Sequence, residues 1–250
     1  MPLRVSIITA TFNSASTIAD TMQSVGEQDY PLIDHIIVDG ASSDNTLQIV
    51  KEFAHHISVI SEKDEGIYDA MNKGIRAAKG DIIGILNSDD MYMGPHVIST
   101  IVEAFRDPEV QCCYADLQYV DHRNPKRITR IWKSGIYKPK AFYWGWMPPH
   151  PTFFVRKSVY DQLGLFNTSL RSAADYEMML RIMANHRLKS SYIPLIIVKM
   201  RTGGVSNVSL RNRLRANRED HEAWRINDLK PYFFTLYLKP LRKLTQFIKK

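Results

Sequence analysis

Along the first hundred residues, short apolar runs alternate with stretches whose apolar positions recur at the helical period. Val5–Thr11, VSIITAT, is a β-branched run that predicts a buried first strand. A turn through Phe12 and Asn13 leads to a helix over about residues 17–28, closed by Tyr30-Pro31. Residues 35–39, HIIVD, predict a second buried strand that stops on an acid. GASSDNT then supplies turn and cap chemistry for a helix over about residues 46–53. Ile57–Ser61 reads as a third strand. After Glu65-Gly66, the positions of Ile67, Ala70, Met71, Gly74, Ile75 and Ala78 fall close to one helical face. Residues 82–86 form a fourth buried run. Four strand–helix alternations predict an α/β fold built on an open, mostly parallel sheet flanked by helices.

Polar residues cluster where these strands end. Thr9, Thr11 and Asn13 belong to the first strand end, Asp39 to the second, Ser61, Glu62 and Asp64 to the third, and Asn87, Ser88, Asp89 and Asp90 to the fourth. In a parallel sheet these positions gather on the carboxyl edge, where α/β folds bind their ligands. Residues 80–93, GDIIGILNSDDMYM, set two adjacent acids directly after a buried strand, which is costly unless something opposes their charge. Such a loop is either solvated, capping the helix that Pro95 begins, or a hard-cation site for a phosphate-bearing ligand. Four polar loops on one edge favour the site. Neither G-x-G-x-x-G nor G-x-x-x-x-G-K-[ST] occurs, which argues against a dinucleotide fold or an NTPase loop. An acidic edge holds a diphosphate when a divalent cation lies between them.

The second half is less regular. A helix is expected over residues 95–105 and a strand over 110–120, with Asp116 inside it. A hairpin tip follows at 121–125, then a return strand at Ile128–Trp132. Residues 142–154, FYWGWMPPHPTFF, hold six aromatics, three prolines and His150. Aromatic faces stack on sugars and sit at membrane interfaces, and the same residues can form a rigid packed loop. AADYEMMLR, residues 173–181, starts a helix with Asp175 in its first turn, where the dipole favours a carboxylate. Residues 200–206, MRTGGVS, set two glycines after a strand and form either a lid over a ligand's phosphates or a plain turn.

Charge changes the picture at one end. The net charge is +7, and residues 211–250 carry 11 Lys and Arg against 4 Asp and Glu, so the first 210 residues are neutral. Residues 229–250 interleave Phe, Tyr and Leu with Lys and Arg and contain no acid; Pro231 and Pro240 divide them into two expected short helices. This composition fits an anionic membrane surface better than nucleic acid, and no nucleic-acid partner is expected. Cys112 and Cys113 are neighbours, which excludes a disulfide framework and suits a reducing compartment. No run reaches the roughly 18 apolar residues of a spanning helix, and the N-terminus lacks a signal-peptide pattern.

The pieces VSIITATFNSASTIADTMQSVGEQ, IIVDGASSDNT, SEKDEGIYDAMNKGIRAAKGDIIGILNSDD, HPTFFVRK and AADYEMMLR span roughly residues 3–205. Together they resemble the family 2 glycosyltransferases, above all the bacterial branch that builds surface polysaccharides and glycolipids, including the colanic-acid type. The resemblance implies a GT-A fold and transfer of a sugar, with inversion, from a nucleotide-sugar donor to a hydroxyl of a sugar or lipid-linked glycan acceptor, with Mg²⁺ or Mn²⁺. It implies that Thr9, Thr11 and Asn13 line the nucleotide pocket and that Asp39 meets the base or ribose. Asp64 is a weaker nucleotide contact, and Asn72 faces the donor. The family's D-x-D acids stand here as N-S-D-D. Asn87 and Ser88 are thus donor contacts, and metal binding passes to Asp89 and Asp90. By the same resemblance His150, with Trp144 and Trp146 beside it, lies near the acceptor or diphosphate. Asp175 is the general base, with Glu177 as a weaker alternative. Residues 1–210 would be the catalytic domain (1–93 binding the donor, 94–210 the acceptor) and 211–250 a basic amphipathic segment. The expected location is cytoplasmic, peripheral on the inner face of the cell membrane. Two other readings stay open: a non-catalytic nucleotide-sugar or nucleic-acid binding module, and a nucleotidyltransferase. The lack of a basic, glycine-rich triphosphate loop near the N-terminus argues against the latter.

Overall fold

A computed structural model describes residues 2–203 and 210–244. The expected lid lies outside the described residues from position 204, and so does the tail from position 245. Strands β1 (Val5–Thr11), β2 (Ile33–Asp39), β3 (Ile57–Ser61) and β4 (Ile82–Ile85) are mutually parallel, in the order β3-β2-β1-β4. Beyond β4 the sheet becomes mixed. β8 (Phe154–Arg156) pairs antiparallel to both β4 and β6 (Cys112–Val120), and β6 runs parallel to β9 (Ser190–Arg201). The two-residue β5 (Met91–Tyr92) closes the far edge against β9, and β7 (Ile128–Trp132) pairs with β6.

Alternation along β1 and β2 explains how the helices are held. Val5 and Ile7 point into one apolar cluster together with Ile98 and Ile101 of α4 (Val97–Ala104). Ile8, Ala10, Ile36 and Val38 point the other way, onto Ala70, Met71 and Ile75 of α3 (Ile67–Ala77). Ile37 meets Ile18 and Met22 of α1 (Ile18–Gly26) and Val50 of α2 (Thr46–Val50). Every residue of β1 is buried, as expected of a parallel strand covered on both faces. Helix α3 approaches β1 so closely that a Cβ at Gly74 would lie 2.4 Å from Ile8 Cγ2. Ile67, expected on the buried face of α3, is instead 47% exposed at its start.

The C-terminal half carries α5 (Lys157–Leu163), α6 (Ala174–Met179), a π-helical stretch Leu180–Asn185, α7 (Leu210–Ile226) and α8 (Thr235–Leu244). Part of the C-terminal segment is built into the core, through Ala223, Trp224 and Leu236. Trp224 of α7 is fully buried and donates its indole N–H to the Tyr176 hydroxyl at 2.9 Å. Pro240 does not divide the tail as expected. It lies inside α8, where its missing N–H removes one helical hydrogen bond and side-chain packing keeps the helix together. Among the described residues no helix is long and apolar enough to cross a membrane.

Candidate active site

The parallel register brings three strand ends side by side: Thr11 lies opposite Asp39, and Asp39 opposite Ser61. Ser61 Oγ donates to Asp39 Oδ2 at 2.7 Å, as does the Ser42 backbone N–H at 3.1 Å. The loops after β1 and β2 are clipped together. Asn13 N–H donates to Ser42 Oγ at 2.8 Å, and Asn13 Oδ1 accepts from Ser43 N–H at 2.9 Å. Asn13 (φ 49°) and Ala41 (φ 61°) both adopt the left-handed region, an expense that non-glycine residues tend to bear at binding loops. Ser14 Oγ lies 2.9 Å from Ser88 Oγ, tying the first loop to the acidic one. These loops rim a cleft of about 1130 Å³ lined by Thr11, Asn13, Asp64, Asn87, Ser88, Asp89, His150 and Asp175, among others. At one end Lys73 Nζ holds Asp64 at 2.8 Å and Glu62 at 2.9 Å, and these hydrogen bonds push the Lys73 pKa up. Gly40 leaves a slot there, since a Cβ would stand 2.9 Å from Asp64 Oδ2.

The two acids after β4 differ in access. Asp89 lines the cleft, whereas Asp90 has no exposed surface. Burial raises the pKa of Asp89, opposed by Arg201, His122 and His150. Burial and then the charge of Asp89 raise that of Asp90 further. Asn87 Nδ2 donates to Asp90 Oδ2 at 3.2 Å, and Thr21 Oγ1 to the Asp90 carbonyl at 2.7 Å. Arg201, 5% exposed, donates to the Asp89 carbonyl at 2.9 Å and pairs with Asp20. Thr11 Oγ1, Asp39 Oδ1, Asn87 Oδ1 and Asp90 Oδ1 are buried with no hydrogen-bond partner. Each such atom costs about 1–3 kcal/mol until something satisfies it. Two crowded carboxylates with an orphaned oxygen fit a divalent cation. Among the described residues no group of three or more His, Cys, Asp and Glu could hold a metal ion. An ion there would therefore complete its shell with water and ligand phosphate, the usual habit of Mg²⁺.

Across the cleft, Tyr68 of α3 donates its hydroxyl hydrogen to Asp175 Oδ1 at 3.0 Å. His150 stands between Asp175 and the acidic loop. Its Nδ1 is 3.6 Å from Asp175 Oδ2, and its Nε2 is 3.3 Å from Asn87 Nδ2. An amide N–H directed at Nε2 assigns the ring proton to Nδ1, facing Asp175. Burial lowers the His150 pKa against the opposing pull of Asp175 and Asp89. Burial, then the charge of Asp175, pushes the Tyr68 hydroxyl well above its ordinary value.

Several expected site residues lie elsewhere. Thr9 sits two residues below the edge, its Oγ1 3.0 Å from Nε2 of the buried His35. Asn72 uses both ends of its amide on the Phe166 backbone, at 2.9 Å each, so it locks α3 to the chain ahead of α6. Trp146 is buried and donates to the Ser134 carbonyl at 2.8 Å. Trp144 is exposed but packs on Phe234, away from the cleft lining. Asp39 and Asp90 lie beneath the wall of the cleft, not on it. Glu177 is 1% exposed and spent on Arg181 at 2.8 Å and Asn227 at 3.0 Å, which removes it as an alternative base. Conversely, Phe12, Tyr68, Arg171 and Arg201 line the cleft without having been singled out. Phe12, 63% exposed directly after a buried strand, had a legible signal; Tyr68 and Arg201 are defined by partners 107 and 181 positions away.

A family model described as "Glycosyl transferase family 2" matches residues 6–164. A PGL/p-HBAD biosynthesis glycosyltransferase of Mycobacterium tuberculosis is 27% identical over 207 residues, covering 81% of this chain and 78% of its own. S. aureus TarS 1–349 in complex with UDP-GlcNAc superposes with a TM-score of 0.68 at 17% identity, covering 90% of this chain and 65% of that one. The chain spans 43% of a longer TarS chain. The mannosyltransferase PcManGT from Pyrobaculum calidifontis, in complex with GDP-Man and Mn²⁺, gives 0.68 at 21% identity, covering 96% and 69%. At these identities the structural likeness establishes the fold, which is the GT-A architecture.

Proposed function

The chain belongs to glycosyl transferase family 2, and on that premise we propose that it is an inverting, metal-dependent transferase moving a sugar from a nucleoside diphosphate to an acceptor hydroxyl. The observation that carries this reading is that Asp175 and Asp89 line one cleft with His150 between them, 3.6 Å from Asp175. In it, the nucleoside lies over Thr11, Asn13, Gly40 and Asp64, with Asp39 Oδ1 and Thr11 Oγ1 available as acceptors from below. Asn87 and Ser88 face the ribose and donor sugar. Asp89 from the cleft wall and Asp90 from beneath it would hold Mg²⁺ or Mn²⁺, and PcManGT with its GDP-Man and Mn²⁺ supports both donor class and ion. When bound, such an ion supplies Lewis-acid stabilisation of the leaving diphosphate.

Asp175 is the general base. Tyr68 occupies its Oδ1, leaving Oδ2 to take the proton of the acceptor hydroxyl. The acceptor oxygen then bonds to the anomeric carbon from the face opposite the diphosphate, and the electron pair of the broken bond leaves on that diphosphate. His150, neutral and carrying its proton on Nδ1, orients Asp175 and shields it from the acidic loop. Trp144 and Trp146 have no place in this chemistry. The mycobacterial relative's part in PGL/p-HBAD biosynthesis supports a glycolipid or polysaccharide acceptor. Two free, buried cysteines agree with work in the reducing cytoplasm, and the basic C-terminal residues with placement on the inner face of the cell membrane.

The test is transfer of labelled sugar from a panel of nucleotide sugars with Mn²⁺. Asp175→Asn should abolish transfer yet keep nucleotide binding, and EDTA should remove both. Near-normal turnover in that variant refutes the base assignment, and activity that survives EDTA refutes the metal. Donor binding with neither transfer nor hydrolysis in the wild type would leave a binding module.

A further inference from the structure

Helix α8 is fixed to the body by one face only. Thr235 and Leu236 are buried, Thr235 Oγ1 donates to the Tyr143 carbonyl at 2.7 Å, and Lys239 Nζ pairs with Asp220 at 2.7 Å while lying 3.6 Å from the centre of the Tyr176 ring. Its backbone reaches the aromatic loop so closely that a Cβ at Gly145 would stand 2.5 Å from the Lys239 nitrogen. The other face is apolar and open. Tyr237 and Leu241 are 69% and 55% exposed, at the four-residue spacing that makes one helical stripe, and Phe233, in the turn that leads into the helix, is 90% exposed.

Trp144 extends this stripe. It ends a 3₁₀ turn, Ala141–Trp144, bounded by the left-handed residues Lys140 and Gly145, and it is 54% exposed. Its ring centre is 5.3 Å from that of Phe234, which is 5.2 Å from Phe233, and Arg242 Nη1 lies 3.4 Å from its carbonyl oxygen. The loop and the helix therefore present one continuous aromatic row.

We propose that this row is a membrane-docking face: Trp144, Phe233, Tyr237 and Leu241 enter the interface of a bilayer whose anionic headgroups meet Lys140, Lys230 and Arg242. This deepens the membrane-side placement proposed above and does not depend on the transfer chemistry. The charges choose the occupant. Lys140, Lys230 and Arg242 are exposed, and residues 229–250 contain no acid. Protein–protein interface cores are depleted of Lys, whereas each basic residue near an anionic leaflet strengthens binding severalfold. Trp and Tyr suit the headgroup boundary because each has an apolar ring and a polar edge. Over its described residues α8 is too short to span, so its exposed side meets the bilayer as a helix lying in the interface plane would.

Flotation of the full chain with vesicles tests the face. Vesicles of phosphatidylcholine with phosphatidylglycerol should carry the protein up, and phosphatidylcholine alone should not. Phe233→Ser with Tyr237→Ser, both at exposed positions, should lower the bound fraction about tenfold and keep the melting temperature and nucleotide binding. The chain has four Trp: Trp146 and Trp224 are buried, and Trp132 of β7 is half-buried against the cluster on the other side of the sheet, which leaves Trp144 as the one in the row. A blue shift of Trp emission on adding anionic vesicles should therefore vanish in Trp144→Phe. No flotation, flotation unchanged in the double variant, or flotation without the blue shift overturns the proposal. So does a dimer in sedimentation velocity that the double variant dissolves, which would give the face to a second copy. Flotation reads no sugar transfer, so a failure here leaves the transfer reading standing, and the reverse holds.

Discussion

Tyr68 and Asp175, 107 positions apart, are joined by one hydrogen bond of 3.0 Å that crosses the cleft from α3 to α6. It links the half that holds the nucleotide loops to the half that holds the base. It also divides the two carboxylate oxygens of Asp175: Oδ1 is occupied by the phenol, and Oδ2 faces His150 at 3.6 Å.

Removing only that hydroxyl tests whether the orientation of Asp175 matters to turnover. In Tyr68→Phe the ring keeps its packing on Phe166, 5.6 Å between centres, so the fold should be unchanged. A hydrogen bond to a charged group is worth about 1.5–3 kcal/mol, which corresponds to about a ten- to hundredfold fall in kcat. The donor KM should move little, because Tyr68 orients the base rather than the nucleotide. Steady-state kinetics with both substrates varied separates the two, and an unchanged kcat would show that Asp175 is held without the phenol.

Asn87 invites the opposite kind of change, towards the acid that the D-x-D pattern carries at this position. Its amide now donates to Asp90 at 3.2 Å and reaches His150 Nε2 at 3.3 Å. Asn87→Asp removes that donor and sets a third carboxylate beside two whose pKa values burial already raises. The metal-free variant should lose about 1–3 kcal/mol of stability. Mn²⁺ should restore more stability to it than to the wild type, because an ion that binds only the folded state stabilises it by mass action. Thermal unfolding with and without Mn²⁺ decides: equal melting temperatures and equal metal responses would mean that the loop does not sense this charge.

The sequence made the first four strands legible because parallel strands covered on both faces read as unbroken β-branched runs, and it made their ligand edge legible because polar residues recur where those runs stop. What it hid was depth and partnership. Thr9 and Thr11 look equivalent, yet two residues along a strand are about 6.6 Å, enough to place Thr9 against His35 and out of the cleft. Trp144 and Trp146 are two apart, and a turn between left-handed Lys140 and Gly145 sends one outward and the other into the core. Asn72 satisfies a backbone segment 94 positions away, and Arg201 pairs with Asp20 at a separation of 181, relations that no local pattern encodes. Strand β8 went unforeseen for the same reason: its pairing with β4 and β6 is what makes it a strand.

His35 supplies a pH-dependent stability term that is separate from the cleft. It is fully buried, with Nε2 3.0 Å from Thr9 Oγ1 and Nδ1 2.9 Å from His55 Nε2. Burial, and secondarily the charge of His55, pushes its pKa down to about 3, whereas an unfolded histidine titrates near 6.5. The unfolded chain therefore binds a proton at this position more readily than the folded one between those two values. The contribution is fully present above the unfolded pKa and is lost as pH falls through that window. By pH 5 the loss is about 2 kcal/mol. Urea unfolding at pH 7 and pH 5 on His55→Gln and on His35→Gln with His55→Gln isolates it. Carboxylates contribute alike to both proteins, and His55, which touches His35, is replaced by Gln in both, so the protein that keeps His35 should lose about 2 kcal/mol more than the one without it between the two pH values. Equal losses would mean that His35 accepts its proton without unfolding, which its hydrogen bond to Thr9 in a dry interior opposes.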